Sequence, residues 1–309
     1  MTSVRIATRQ SDLALAQARY IASLIEERLG FDTKLLPMTT TGDRTLGSLS
    51  KAGGKGLFAK EIQEALQSGR ADIAVHSAKD LPADLPRELE LVAFPERKDP
   101  RDALVGRERG VLLAQLPDGA RVGTGSVRRM ALLRRTRPDL EIVPIRGNVP
   151  TRLRKLDEEG LDAVILACAG LERLGLADRI DERISTDVLL PAVAQGTLAL
   201  EGRRDDPIAK QIADLDDPAV AIATAAERAF LIRVGGDCGV PMAAYAEHVD
   251  GGDLRLRGLV IDGEGQQLAE AELRSAPGRC REAGESLADR VLHGGGREIL
   301  DALDEEVAP

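Results

Sequence analysis

Hydrophobic positions in the first third of the chain alternate between a strand-like and a helix-like period. Short apolar runs at residues 4–8, 34–38 and 71–76 are typical of strands buried in a parallel sheet. After the first run, apolar residues keep helical spacing from Leu13 to Ile25, with Ser11 placed to cap this helix and Gly30 to end it. A second helix is predicted at residues 57–66. This strand–helix–strand order favours an α/β domain.

The same order begins again after the charged stretch at residues 96–100. We predict strands at residues 121–123, 141–145 and 161–167, and helices at residues 127–136 and 149–159. Residues 191–201 are interpreted as a connecting segment. A second α/β domain is therefore expected.

The pattern changes after a helix predicted at residues 219–233. Three runs at residues 242–248, 254–261 and 267–273 are separated by glycine-containing turns, as in an antiparallel sheet. A last helix is predicted at residues 278–292. The expected fold class is α/β, with two α/β domains and a smaller C-terminal α+β domain that contains an antiparallel sheet.

Composition excludes several classes of function. The 309 residues are 43% hydrophobic and 30% charged, a balance that allows a substantial core. Aromatic residues make up 2%, too few for the stacking surfaces of single-strand nucleic-acid binding. The three cysteines and three histidines are scattered, so we expect neither a zinc site nor a disulfide framework.

Two sequence features bear on cellular location. Residues 1–6 lack the apolar core of a signal peptide. The longest apolar stretch, residues 163–171, is about half the length that crosses a bilayer. We therefore expect a cytoplasmic protein with no membrane partner, and an odd number of thiols suits that reducing compartment.

Positive charge is concentrated in one segment. The whole chain carries a net charge of −9, yet residues 121–155 contain ten basic and two acidic side chains, so the remainder carries −17. This segregation predicts one concentrated anion site rather than a basic surface. Arg134, Arg135 and Arg137 are interpreted as a solvated helix face.

Other arginines follow the ends of predicted strands. Residues 123–129 run from a strand into a helix start, where backbone N–H groups and the helix dipole favour an anion. Arg128 and Arg129 add forked donors suited to carboxylates. Arg146 and Arg9 follow two further strands, and such strand ends could share one cleft. The Walker and dinucleotide fingerprints are incomplete, which favours a carboxylate-rich ligand over a nucleotide.

Asp80 is the carboxylate best placed for acid–base chemistry. It follows the strand at residues 71–76, and it could act as a general acid or base or stabilise a developing cation. The alternative, which spacing alone favours, is a turn aspartate before Pro82. His76 is interpreted as a packing residue, and Lys79 could pair with Asp80 or with a ligand carboxylate.

Cys238 differs from Cys168, which lies among apolar neighbours like a structural thiol. Its loop at residues 235–239 is rich in glycine, so little side chain shields the sulfur. The adjacent Asp237 disfavours the thiolate, which argues against a fast-cycling nucleophile and for a bond formed once and kept. Cys238 is therefore a candidate attachment point, and Cys280 is interpreted as incidental.

Taken together, these segments resemble the porphobilinogen deaminase (hydroxymethylbilane synthase) family over nearly the whole chain. The resemblance is carried by long motifs in family order. They are RIATRQS at residues 5–11, GGKGLF at 53–58, AVHSAKDLP at 74–82, GT at 123–124 with Ser126, Arg128 and Arg129, RGN at 146–148 with Thr151 and Arg152, AGL at 169–171, and the Cys238 loop.

The resemblance implies a transferase of tetrapyrrole (haem) biosynthesis. Such an enzyme condenses four porphobilinogen molecules head to tail, releasing ammonia, to give the linear tetrapyrrole hydroxymethylbilane. It also implies a dipyrromethane cofactor, held through a thioether to Cys238, which primes chain growth and is not turned over. Each pyrrole carries an acetate and a propionate, which would explain the arginines. A monomer with porphobilinogen as its substrate and no nucleic-acid partner is implied.

The resemblance also implies roles for individual residues. Asp80 is expected near the pyrrole nitrogens, where it would assist loss of the amino group and stabilise a cationic azafulvene-type intermediate. Residues expected at the cofactor are Cys238, Lys55, Ser77, Lys79, Asp80, Thr124, Ser126, Arg128, Arg129 and Arg146. Residues expected at the substrate are Arg9, Ser11, Arg146, Arg152, Arg173 and Gln195. No metal is expected.

A three-domain organisation is implied as well. The expected domains are residues 1–96 with 195–213, residues 100–190, and residues 218–309. The first two would resemble periplasmic binding proteins and embrace a cleft, and the third would carry the cysteine. The glycine-rich residues 47–56 are expected to form a mobile lid, with an ordinary flexible loop as the alternative. Ala194 stands where the resembled family commonly has glycine.

Two other classes of function stay open from the residues alone. One is a non-catalytic anion-binding module, such as a solute receptor or the effector part of a regulator, since fold alone does not decide function. The other is a nucleic-acid-binding protein that uses the basic segment. The exposed thiol argues against the first alternative, and the scarcity of aromatic residues argues against the second.

Overall fold

A computed structural model describes residues 3–44, 59–235 and 239–307. The chain divides into two compact units, residues 1–98 with 197–221 and residues 99–196 with 222–309. The division into three domains stays a prediction. Residues 47–56, the expected lid, lie outside the described residues.

The described residues form thirteen strands and ten α-helices. The strands are β1 (Ser3–Arg9), β2 (Asp32–Met38), β3 (Ile73–Ser77), β4 (Leu89–Ala93), β5 (Asp102–Gly106), β6 (Arg121–Thr124), β7 (Glu141–Pro144), β8 (Ala163–Ala167), β9 (Glu182–Arg183), β10 (Leu198–Arg203), β11 (Met242–His248), β12 (Leu254–Ile261) and β13 (Leu268–Ser275). The helices are α1 (Asp12–Leu29), α2 (Thr41–Arg44), α3 (Lys60–Gln67), α4 (Val127–Thr136), α5 (Val149–Glu158), α6 (Cys168–Arg173), α7 (Pro207–Ile212), α8 (Pro218–Val234), α9 (Cys280–Val291) and α10 (Arg297–Val307).

Each unit contains a five-stranded mixed sheet of the same plan. The strand order is β2-β1-β3-β10-β4 in the first unit and β7-β6-β8-β5-β9 in the second. In each sheet the first three strands are parallel and the fourth is antiparallel to the third. The second unit also contains the antiparallel sheet β11-β12-β13. The α/β class with a C-terminal antiparallel sheet is therefore confirmed.

Most predicted elements lie within one to three residues of their observed bounds. Ser11 caps α1 by accepting from the Ala14 N–H, and Gly30 ends that helix in the left-handed conformation. The interpretation of residues 191–201 as a connecting segment is wrong in part, because Leu198–Arg203 forms β10 near the middle of a sheet. Strand β10 pairs with β3, more than 120 residues away in sequence, so no local pattern signals it.

Both mixed sheets are covered by helices on their two faces, as parallel sheets require. In the first unit, α1 packs through Ile21 and Ile25 against one face, and α3 packs through Ile62 and Leu66 against the other. In the second unit, α4 covers one face together with β12, and α5 covers the opposite face. The helices cover the faces of each sheet but not the ends of its strands, and polar residues follow those ends.

The interpretation of Arg134, Arg135 and Arg137 as a solvated helix face is wrong in part. Arg135 is exposed as expected, but Arg134 and Arg137 are only partly exposed, and Arg137 follows the last residue of α4. Arg134 donates to the Gly263 carbonyl at 2.6 Å, and Arg135 donates to the Gly265 carbonyl at 3.3 Å. Arg137 pairs with Asp139 at 2.5 Å. The side chains of α4 thus bind the turn between β12 and β13, a contact between distant segments that helical spacing does not reveal.

Within the described residues, no helix combines the length and the apolar character needed to span a bilayer. Helix α8 instead packs against α9 within the second unit. A Cβ atom on Gly284 of α9 would lie 2.1 Å from the Ala226 carbonyl oxygen and 2.8 Å from the Ala229 side chain. The two helices therefore approach so closely that only glycine fits at this crossing.

We predict that Gly284→Ala destabilises the protein. Overpacking at the α8–α9 crossing should lower the free energy of unfolding by about 1–3 kcal/mol, despite alanine's better helix propensity. Urea unfolding followed by circular dichroism measures this change. Gly278→Ala is the matched control, because a Cβ there meets nothing within 4 Å. Equal midpoints for the two variants would contradict the close crossing.

Candidate active site

The first unit has a polar cavity at the carboxyl ends of β1 and β3. Arg9 ends β1, and Ser77 ends β3 one turn before Asp80, which lies in the short 3₁₀ turn Ala78–Asp80. The residues lining the cavity are Arg9, Ser11, Leu13, Ala14, Gln17, Val75, His76, Ser77 and Asp80. The parallel strands β1 and β3 end on the same side of the sheet, which brings these residues together. Ligands of α/β proteins commonly bind at this side. The structure thus places Asp80 half-buried and in one cavity with Arg9, Ser11 and Ser77.

A buried hydrogen-bonded group supports this cavity. Gln17 of α1 donates to the Ser77 hydroxyl at 2.8 Å. His76 lies 3.0 Å from the Glu201 carboxylate through its Nε2, and Gln63 donates to the other Glu201 oxygen at 2.9 Å. Glu201 is fully buried on β10. His76 is therefore a satisfied packing residue, as predicted, and Glu201 is a buried carboxylate that the sequence reading missed.

The second unit has its polar residues at the carboxyl end of β6. Thr124 is buried at the strand end, and Ser126 accepts from the Arg129 N–H as the N-cap of α4. The first turn of this helix carries Arg128 and Arg129. Both are only 3–4% exposed, so they lie inside the unit rather than on its surface. The sequence placed these arginines correctly on the helix but did not reveal their burial.

Asp102 holds both arginines. Its Oδ2 lies 2.7 Å from Arg128 Nη2, and its Oδ1 lies 2.7 Å from Arg129 Nη2 and 3.0 Å from Arg129 Nε. Burial would raise the pKa of Asp102, but the charges of Arg128 and Arg129 outweigh burial and hold that pKa well below its usual range. Asp102 therefore stays ionised at neutral pH. No motif in the sequence marked it, since it only begins an apolar strand.

Gln195 joins Asp102, Arg128 and Arg129 in one buried group, called here the Asp102 cluster. Its Nε2 donates to Asp102 Oδ1 at 2.8 Å and to the Pro100 carbonyl at 2.6 Å, and its side chain is buried. The preceding Ala194 has φ +57, a left-handed conformation that favours glycine. The Ala194 N–H donates to Glu227 of α8 at 2.5 Å. Glu227 therefore holds the left-handed backbone of Ala194 next to Gln195.

The other predicted arginines differ in burial. Arg146 is exposed after β7, and Arg152 donates from Nε to the Gly147 carbonyl at 2.8 Å. Arg173 donates to the Gly196 carbonyl at 2.7 Å.

A Cβ on Gly125 would lie 2.4 Å from the Ile145 carbonyl oxygen, so glycine is needed where β6 leads into α4. Gly125 thereby keeps the strand ends that carry Thr124 and Arg146 close together.

The cysteines separate by environment. Cys168 is fully buried, and burial raises the pKa of its thiol to about 12, with Asp99 adding to the shift. Such a thiol is inert, which confirms its structural interpretation. Cys280 is partly exposed. Cys238 and Lys55 lie outside the described residues, which also contain no group of three potential metal ligands.

The arrangement defines an α/β protein with arginines at the carboxyl ends of its strands, a class suited to anionic ligands. Two family models match the chain. "Porphobilinogen deaminase, dipyromethane cofactor binding domain" matches residues 4–211, and "Porphobilinogen deaminase, C-terminal domain" matches residues 221–293. The chain belongs to the porphobilinogen deaminase family. This is a family of transferases that carry a dipyrromethane cofactor.

Curated relatives support this assignment over the full length. Porphobilinogen deaminase of Pelobacter propionicus is 49% identical over 303 residues, which are 97% of each chain. That of Syntrophotalea carbinolica is 49% identical over 306 residues, which are 98% of this chain and 96% of the relative. The alternatives of a solute receptor and a nucleic-acid-binding protein gain no support from these relatives.

Similar solved structures include periplasmic proteins. A periplasmic substrate-binding protein of an ABC transporter from Coxiella burnetii is 16% identical, with a TM-score of 0.43, covering 71% of this chain and 94% of that chain. The periplasmic VFT2 domain of BvgS from Bordetella pertussis is 18% identical, with a TM-score of 0.41, covering 69% of this chain and 86% of that chain.

Proposed function

We propose that this chain condenses four porphobilinogen molecules head to tail, with release of ammonia, to give hydroxymethylbilane. The observation that carries this proposal is the family match, which extends over both units and almost the whole length of the relatives. The arginines at strand ends support it, because porphobilinogen and its oligomers are polycarboxylates. The pathway served is tetrapyrrole biosynthesis.

Arginine side chains of both units are proposed to bind the acetate and propionate groups. Guanidinium forks match carboxylates in geometry and keep their charge at any physiological pH. We assign Arg9, Ser11, Arg146, Arg152, Arg173 and Gln195 to the substrate. Gln195 is buried and bonded to Asp102 and Arg129, so we propose that it acts on the substrate through Arg129. Arg146 is exposed and suits an incoming substrate.

Asp80 is the proposed catalytic residue. It lies half-buried in the cavity of the first unit, beside Arg9 and Ser77. Loss of ammonia from the substrate leaves positive charge on its pyrrole, and an ionised carboxylate at that place lowers the energy of the charged species. The same carboxylate can hold the pyrrole N–H and accept a proton. Asp80 is thus proposed both to orient the ring and to stabilise its charge.

The residues of the second unit fit a carboxylate-rich cofactor. The Nε of Arg128 is buried and has no hydrogen-bond acceptor among the described residues. We propose that Arg128, Arg129, Arg146, Thr124 and Ser126 hold the dipyrromethane carboxylates, with Lys55, Ser77, Lys79 and Asp80 as further contacts. When bound, the cofactor supplies the pyrrole carbon at which the chain begins. Attachment is proposed at Cys238, four residues beyond the end of α8.

Three further features belong to the proposal. We propose the domains 1–96 with 195–213, 100–190, and 218–309, in which the antiparallel sheet and α8 to α10 form the third. We also propose that the protein acts as a monomer in the cytoplasm, without nucleic acid or membrane as a partner. The separate antiparallel sheet β11-β12-β13 supports the third of these domains.

The attachment site is tested by intact mass spectrometry. The native protein should exceed its sequence mass by two linked pyrroles, because a thioether survives denaturation. Cys238→Ser should lack the increment and any turnover. Cys280→Ser, which changes a partly exposed cysteine, is the control and should keep both. An increment that persists in Cys238→Ser would place the cofactor elsewhere.

The role of Asp80 is tested by Asp80→Asn. The neutral amide should lower kcat at least about 100-fold, since the charge that stabilises the developing cation is lost. The cofactor mass increment should stay. Asp84→Asn, at an exposed carboxylate nearby, should change kcat by no more than about twofold. Near-normal kcat for Asp80→Asn would refute the catalytic role.

A further inference from the structure

The Asp102 cluster differs from an ordinary structural ion pair in its charge balance. One buried carboxylate serves two buried guanidinium groups, Arg128 and Arg129. Their other acceptors are the neutral Leu190 and Ile165 carbonyls and the Gln195 amide oxygen. The described part of the cluster therefore carries a net charge of +1 in a site that is almost closed to water.

A neighbouring group shows the balanced alternative. Asp99 also lies between two arginines, 2.8 Å from Arg101 and 2.9 Å from Arg183. There Glu172 adds a second carboxylate, 2.8 Å from Arg183, so two negative charges face two positive charges. The Asp99 group is neutral and partly exposed. The Asp102 group has a surplus positive charge and is buried, and a buried unpaired charge is strongly unfavourable unless an anion joins it.

We propose that Asp102 is a positioning residue, which fixes Arg128 and Arg129 so that their remaining N–H groups bind the carboxylates of the cofactor and the growing chain. This inference rests on the proposed function. Asp102 accepts from Nε and Nη2 along one edge of Arg129 and from Nη2 alone of Arg128, and Gln195 donates to Asp102 at 2.8 Å. Each guanidinium has five N–H donors, of which the hydrogen bonds within the described residues use two on Arg128 and four on Arg129, so three donors of Arg128 and one of Arg129 are left for a ligand.

The physical effect of Asp102 has two parts. Its negative charge offsets the mutual repulsion of two guanidinium groups in a medium of low dielectric constant. Asp102 also fixes the plane of the Arg129 guanidinium through two hydrogen bonds, and together with the Leu190 carbonyl it holds the Arg128 guanidinium. Both side chains are thus ordered before any ligand arrives, so less side-chain freedom is lost on binding. A neutral residue of the same shape supplies neither the charge nor the full set of acceptors. Carboxylate binding should therefore weaken more than the chemical step.

The test is Asp102→Asn, which keeps the volume and removes the charge. We expect the KM for porphobilinogen to rise at least about tenfold, with a smaller fall in the kcat of the loaded fraction. Loading of cofactor-free protein with porphobilinogen, followed by intact mass, should slow at least about tenfold. Asp99→Asn is the matched control, and its KM and loading rate should stay within about twofold of wild type, whatever its melting temperature.

Failure of the positioning role and failure of the proposed function give different results in these measurements. A folded Asp102→Asn protein whose KM and loading rate match wild type would overturn the positioning role. Wild-type protein without turnover and without a mass increment would instead overturn the proposed function.

A second variant decides the case in which Asp102→Asn fails to fold. Asp102→Asn combined with Gln195→Glu returns a carboxylate to the cluster from the adjacent side chain. Recovery of folded protein that loads cofactor would support the proposal. A double variant as unfolded as the single one would contradict the role of the charge.

Discussion

Two guanidinium groups cannot be buried side by side unless a carboxylate lies between them, and this constraint shapes the second unit. Asp102 meets it at the start of β5, in contact with the first turn of α4. Strand β5 runs antiparallel to β8, which brings its first residue to the carboxyl end of the parallel strands. The position of one carboxylate thus depends on the mixed topology of the sheet.

The same topology recurs in the first unit, with a different chemical result. There the antiparallel strand is β10, and it brings the buried Glu201 against His76 and Gln63 rather than against arginines. Each unit therefore has a buried acid on the strand that runs antiparallel to its neighbour, Glu201 on β10 and Asp102 on β5. In the first unit this acid supports the cavity of Asp80. In the second unit it supports the arginine pair.

Local patterns predicted most of the fold because the strand–helix–strand order and its caps are written in short segments of the chain. Ser11 and Gly30 mark the ends of α1 through capping, and glycine-containing turns separate the three strands of the antiparallel sheet. Strands β5 and β10 were missed because each joins its sheet antiparallel, outside the strand–helix–strand order that marks the parallel strands. The contacts of Arg134 and Arg135 with the 263–266 turn were missed for the same reason.

The sequence predicted the residues that are proposed to contact ligand, but not the buried acids that hold them in place. Asp80 and the arginines at strand ends follow from motif and position. Asp102, Glu201 and Glu227 do not, because a buried acid is recognised only by what surrounds it in three dimensions. Ala194 shows the limit most clearly: its left-handed backbone is stabilised by Glu227, which lies 33 residues further along the chain.

The most direct test of this account is a crystal structure of the protein with its cofactor attached. Asp102 should stay within about 3 Å of both Arg128 and Arg129, while other N–H groups of the same arginines contact pyrrole carboxylates. Guanidinium groups that have left Asp102 in order to reach the ligand would contradict the central claim that this buried acid holds them in place.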